Sequence, residues 1–316
     1  GPCWRLELAH VRREKHDLTG QLAVIVPARD GQPEVTNTGN LNVSSMRGRK
    51  ERAKYLCDLA PTVDLDWAGI IEDFCERVLA AERKGRPALI LRDVPKPTAA
   101  SLITVDGLTL AREHPTIAFG DGGSLKSLLA LWLLVMLEAA GLRTLFCDWE
   151  LSEDEHRLRL EQFCGPAMPE IRYVRCERPL VAEADRIGRI VREDRINYAV
   201  MDSIAPGCDG PPEAAEVAGR YYGALRRLRV GSLLVAHVNR SETADRKPFG
   251  STFWHNLARL TWFVERAEDC GDQARATITL YNRKNNVGAL QPSVGYDFTF
   301  SEDHTEVSHV GVAAVA

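Results

Sequence analysis

Short apolar runs recur along the later two-thirds of the chain, each followed by a longer stretch with helical spacing of its apolar positions. The runs lie at 117–119, 144–148, 171–176, 198–202 and 232–237, and the helical stretches at 126–140, 153–164, 181–194 and 212–229. Such alternation predicts an α/β fold: a mostly parallel sheet with helices on both faces. Strand-like runs at 260–265, 276–281 and 296–300, joined by turn-rich links, predict an antiparallel extension of that sheet.

The first part of the chain has a different pattern. Residues 4–26 alternate, with Leu6, Leu8 and Val11 in one run, 22–26 in another and Lys15-His16-Asp17 between, which predicts a β-hairpin. Residues 28–42, rich in Gly, Pro, Asn and Asp, read as a loop. Two helices are expected at 47–59 and 66–84, with Asp64 or Asp66 as N-cap and Gly85 as the stop. A short strand is expected at 88–91, after which Asp93-Val94-Pro95-Lys96-Pro97 breaks the pattern. The expected organisation is a small α/β N-terminal domain at 3–92, a linker at 93–100 and a larger core at 101–316. Gly1-Pro2 reads as a remnant of tag cleavage and is set aside.

Composition narrows the function classes. The 316 residues carry a net charge of −4, so any surface for nucleic acid must be local. Eight cysteines without a C-x-x-C pair argue against a zinc site and against a disulfide scaffold, and favour a reduced cytoplasmic compartment. The most apolar stretch, 126–140, is too short to span a membrane and reads as a buried helix.

The chemistry gathers where the first core strand ends. Gly120, Asp121, Gly122, Gly123, Ser124, Leu125, Lys126 and Ser127 follow the pattern G-x-x-x-x-G-K-[ST], except that Leu125 replaces the last glycine. Glycines let main-chain N–H groups turn inward on an anion, and the helix that starts there adds its positive end. Lys126 would supply charge to the β- and γ-phosphates, and the Ser127 hydroxyl a ligand for Mg²⁺. A glycine-rich turn that binds no nucleotide is the plainer alternative.

In sheets of this kind ligands sit at the carboxyl ends of strands. Three further strand ends are polar: Asp148-Trp149-Glu150, Asp202-Ser203 and the stretch from His237 to Arg240. Asp202 suits an acid that holds Mg²⁺ through water, or else an N-cap. Glu150 suits a base for the attacking water, or else a helix-start acid before Ser152. His237 could sense the γ-phosphate or simply pack, and Asp148 could also approach the metal, though as a capping residue it needs no function.

In this order, the loop with Lys126-Ser127, then Glu150, Val-Met-Asp202-Ser203 and Val-Ala-His237-Val-Asn-Arg240 resemble the RecA-like P-loop ATPases. Within them the resemblance, over roughly 95–300, is to the RepA-type hexameric helicases and the DnaB/KaiC group. The stretch Phe249-Gly250-Ser251 through Ala258-Arg259 and the basic run Tyr281-Asn282-Arg283-Lys284 resemble segments of the RepA-type proteins. The resemblance implies a RecA-like core that binds ATP and Mg²⁺, with Glu150 as catalytic base, Asp202 as metal-holding acid and His237 as γ-phosphate sensor. It implies a homo-oligomer, ring or filament, in which Arg283 or Lys284 reaches the neighbour's nucleotide. Single-stranded DNA is the expected partner of a motor of this kind, contacted by the basic and aromatic stretch 240–254. The basic run 47–54 reads as a solvated helix face or a second contact. Two other outcomes fit the residues: a KaiC-like nucleotide switch acting on a protein partner, and a non-hydrolysing scaffold, suggested by Leu125.

Overall fold

The computed structural model describes residues 5–14, 16–26, 35–59, 65–85, 87–238, 248–267 and 274–310. Contacts divide the chain into two units, with the division between Lys96 and Pro97.

In the first unit β1 (Arg5–Glu14), β2 (Asp17–Val26) and β3 (Val35–Asn42) form an antiparallel sheet in that order. Helices α1 (Met46–Leu59) and α2 (Trp67–Lys84) bury Ala53, Leu56, Trp67, Ile71 and Cys75 against Leu18, Leu22, Val24 and Leu41 of the sheet. The Asp66 carboxylate accepts the Gly69 N–H at 3.0 Å and so caps α2, and Gly85 ends it. Two expectations are corrected here. Residues 35–42 are not loop but an edge strand, paired with β2 over its whole length; residues 28–34 lie outside the described residues. Residues 88–91 form no strand. Leu89, Ile90 and Leu91 are exposed, and a single 3-10 turn covers Leu91–Asp93. An apolar run becomes a strand only where a neighbouring edge takes its hydrogen bonds. The basic run on α1 is partly structural: buried Arg49 donates to Glu72 at 2.5 Å, Glu76 at 3.2 Å and the Val43 carbonyl at 2.8 Å.

The second unit opens with an unanticipated hairpin, β4 (Leu102–Val105) and β5 (Leu108–Ala111). The main sheet then takes β6 (Pro115–Gly120), β7 (Thr144–Asp148), β8 (Arg172–Arg175), β9 (Tyr198–Asp202), β10 (Gly231–His237), β11 (Leu260–Arg266), β12 (Arg275–Asn285), β13 (Val294–Phe300) and β14 (Thr305–Val310). Their spatial order is β14-β13-β12-β11-β6-β10-β9-β7-β8. Pairs from β8 to β11 are parallel, and those from β11 to β14 antiparallel. The α/β architecture is thus the expected one, a mostly parallel sheet with an antiparallel extension, with β14 added at its edge.

The central strands are apolar at successive positions because both faces are covered. Ile117, Phe119, Leu145 and Met201 face α5 (Leu180–Glu193) and α6 (Ala215–Leu228), while Ala118, Phe146, Val200 and Val235 face α3 (Lys126–Ala139) and α4 (Glu153–Cys164). A short helix, α7 (Phe253–Leu257), precedes β11 and buries Trp254.

Candidate functional site

The loop from β6 to α3 is shaped by its backbone. At Gly120 a Cβ would lie 2.2 Å from the Val264 carbonyl oxygen, so only glycine lets β6 run this close to β11. Gly123 has φ +77°, while Gly122 has nothing within 4 Å of where a Cβ would stand. Leu125 also sits in the left-handed region, at φ 58° and ψ 20°, as the N-cap of α3. That is the backbone a glycine would take without strain, and the leucine adopts it at a cost of about 1–2 kcal/mol. Its side chain is half-buried against the α3 face of the core, and it also lines the cleft beside the loop.

Lys126 is buried, with Nζ donating to the carbonyls of Gly120 (3.1 Å) and Asp121 (2.7 Å) and to Ser124 Oγ (3.0 Å). Burial pulls its pKa below the usual lysine value, against the opposing pull of Asp202, Asp121 and Glu150. Asp202, at the end of β9, is 1% exposed. Burial pushes its carboxyl up to about 6, although a hydrogen bond with Ser127 acts in the opposite direction. Its Oδ1 has no hydrogen-bond partner. A buried carboxylate oxygen without a donor beside a serine hydroxyl is the donor set of a hard cation, so Ser127 and Asp202 fit Mg²⁺. Among the described residues no group of three His, Cys, Asp or Glu could hold a metal by protein ligands alone. A cation here would keep other ligands such as water or phosphate oxygens.

Glu150, just past β7, accepts a hydrogen bond from the Ser203 hydroxyl through Oε1. His237, at the end of β10, is exposed. These strand ends meet in one cleft of about 400 Å³. Its lining runs from Gly123 to Leu128 along the loop and includes Glu150, Asp202, Ser203 and His237. Arg159 and Gln162 of α4, Val235 of β10, and Phe300 and Thr305 at the β13–β14 turn complete the wall. Gly120, Asp121 and Gly122 shape the loop without lining the cleft. A second depression of about 480 Å³, lined by Arg143, Arg172 and Ile196 among others, lies where β7, β8 and β9 begin, away from these groups.

Four of the residues singled out from the sequence as chemical groups, Lys126, Glu150, Asp202 and His237, are therefore brought together with Ser124, Leu125 and Ser127. Arg283 and Lys284 line no part of the cleft. Arg283 lies over the rings of Phe263 and Tyr281, at 5.5 and 5.8 Å. Lys284 Nζ donates to the carbonyls of His255 (2.9 Å), Asn256 (2.7 Å) and Ala258 (2.9 Å), closing the end of α7. Residues 239–247, with most of the expected nucleic-acid loop, lie outside the described residues; beyond them Phe249 and Phe253 are exposed and Trp254 is buried. Sequence reasoning assigned no role to Ser203, Arg159, Gln162, Phe300 or Thr305. Only Ser203 had a signal, its place directly after Asp202.

No family model matches the chain, and no curated protein matches it in sequence. Among solved structures it is similar to a KaiC-like protein from the hyperthermophilic archaeon Pyrococcus horikoshii. Identity is 15% and the TM-score 0.49, over 66% of this chain and 94% of that one. A likeness of that degree carries no inference about individual residues.

Proposed function

We propose that the chain is a RecA-like P-loop ATPase, with the triphosphate of Mg-ATP held at 120–127 and hydrolysed by an in-line water. What supports this most is the convergence of Lys126, Glu150, Asp202 and His237, from four strand ends, on one cleft beside the glycine loop. The loop's open glycines leave room for phosphate oxygens at main-chain N–H groups. Lys126, already within the loop, exchanges carbonyl partners for phosphate oxygens. Ser127 and Asp202 would hold Mg²⁺, which would offset charge on the phosphates. Glu150 takes the proton of the attacking water, its Oε1 steadied by Ser203. His237 reads the γ-phosphate from the end of β10.

The finer reading is a cytoplasmic ring or filament of the RepA-type or DnaB/KaiC kind, a motor on single-stranded DNA with Arg283 or Lys284 reaching the neighbour's nucleotide. ATPase activity measured with and without single-stranded DNA, alongside Lys126→Ala, tests both levels. Turnover lost in Lys126→Ala supports the site, and wild-type turnover in that variant refutes it. Stimulation by DNA supports the motor; slow turnover indifferent to DNA refutes it in favour of a KaiC-like switch.

A further inference from the structure

Asp148 stands two residues before Glu150, outside the cleft and fully buried. Its Oδ1 accepts the main-chain N–H of Glu150 at 2.9 Å and of Leu151 at 3.1 Å. Its Oδ2 accepts the Tyr173 hydroxyl at 2.9 Å and lies 3.2 Å from Nε2 of buried His156. One carboxylate thus grips the backbone that carries Glu150 and is itself held from β8 and α4.

Capping does not account for this arrangement. Helix α4 has its own cap, a reciprocal pair in which Ser152 Oγ accepts from Glu155 N–H and the Glu155 carboxylate accepts from Ser152 N–H. The turn held by Asp148 is the one that aims Glu150, whose carboxylate meets Ser203 just past the end of the neighbouring strand β9. Displacing a reacting group by about 1 Å can lower a rate roughly a hundredfold.

We propose that Asp148, backed by Tyr173 and His156, is a positioning residue that fixes the backbone of Glu150 and so directs its carboxylate into the cleft. This rests on the reading of Glu150 as the base. The test is kcat and KM for ATP, with equilibrium binding of a fluorescent ATP analogue, across Asp148→Ala, Asp148→Asn, Tyr173→Phe, Glu150→Gln and the double variant Asp148→Ala/Glu150→Gln. Asp148→Ala should lower kcat about tenfold to a hundredfold while KM and analogue binding stay within about twofold. Asp148→Asn keeps an oxygen for the Glu150 N–H and should recover most of that loss. The double variant should turn over no more slowly than Glu150→Gln alone, because the two changes remove one function.

A loss that multiplies on top of Glu150→Gln would overturn the proposal, as would a fall in analogue binding that matches the fall in kcat. If Glu150→Gln turns over like the wild type, Glu150 is not the base; a kcat loss in Asp148→Ala would then be independent of it, and the positioning role fails separately. Should Asp148→Ala not fold, Tyr173→Phe decides: a fall in kcat of about twofold to fivefold at unchanged KM supports the role, and unchanged kcat opposes it.

Discussion

Gly120 and Val264 approach so closely that a Cβ on the glycine would stand 2.2 Å from the valine's carbonyl oxygen. The two strands involved, β6 and β11, are parallel neighbours, and Val264 pairs with Gly120 in their register. Gly120→Ala must therefore spread the sheet at the root of the glycine loop. Urea denaturation should show a loss of about 2–3 kcal/mol. Gly122→Ala, which meets nothing within 4 Å, should stay within about 0.5 kcal/mol of the parent.

Leu125 should reverse the usual order of alanine and glycine. Leu125→Gly loses the half-buried side chain but relieves a left-handed backbone, two effects of about 1–2 kcal/mol each with opposite sign. Leu125→Ala loses the side chain and keeps the strain. Denaturation midpoints should place the alanine variant about 1 kcal/mol below the glycine variant. Equal stability would show that the backbone bears no strain there.

Arg283 and Lys284 should separate in their effects. Lys284 is engaged by three carbonyls at the end of α7, so Lys284→Ala should cost about 1–2 kcal/mol in a thermal or chemical melt. Arg283 is exposed on β12 and meets the faces of Phe263 and Tyr281, so Arg283→Ala should cost no more than about 0.5–1 kcal/mol in the melt. If a neighbour's nucleotide is met by one of the pair, Arg283→Ala should lower turnover by at least about tenfold at saturating protein.

Acid should weaken the antiparallel edge through Asp297. Burial alone would raise its pKa, but hydrogen bonds from Thr277 and Arg275 outweigh that and hold it below the usual aspartate value. A carboxyl depressed in the folded state adds stability above its unfolded pKa, near 4, and loses it as pH falls through the folded value. Asp297→Asn should therefore destabilise by about 1 kcal/mol at pH 7. The difference should shrink at pH 3, which urea melts at the two pH values would show.

Much of the core was legible because its strands are bounded by a change of polarity. The runs at 144–148 and 198–202 end in Asp148 and Asp202 and coincide with β7 and β9. The strand Val35–Asn42 was not legible: Asn37, Gly39, Asn40 and Asn42 all disfavour strands, and it forms because β2 offers an edge and Leu41 is buried. Conversely, Leu89 to Leu91 looked like a strand and lacks one's partner. The site divides in the same way. Glu150, Asp202 and His237 could be found from the ends of their own strands. Arg159, Gln162, Phe300 and Thr305 reach the cleft only through tertiary placement, which local pattern does not encode.

Strand β6, which leads into the glycine loop, is flanked by β10 and β11. Both are translated long after it. A nascent chain on the ribosome thus holds an apolar strand with two open edges until Gly231–His237 and Leu260–Arg266 have emerged. The cleft wall at Thr305 follows later still. A ligand that needs every wall of this cleft can therefore stabilise only the finished core and gives no assistance to the partly synthesised chain.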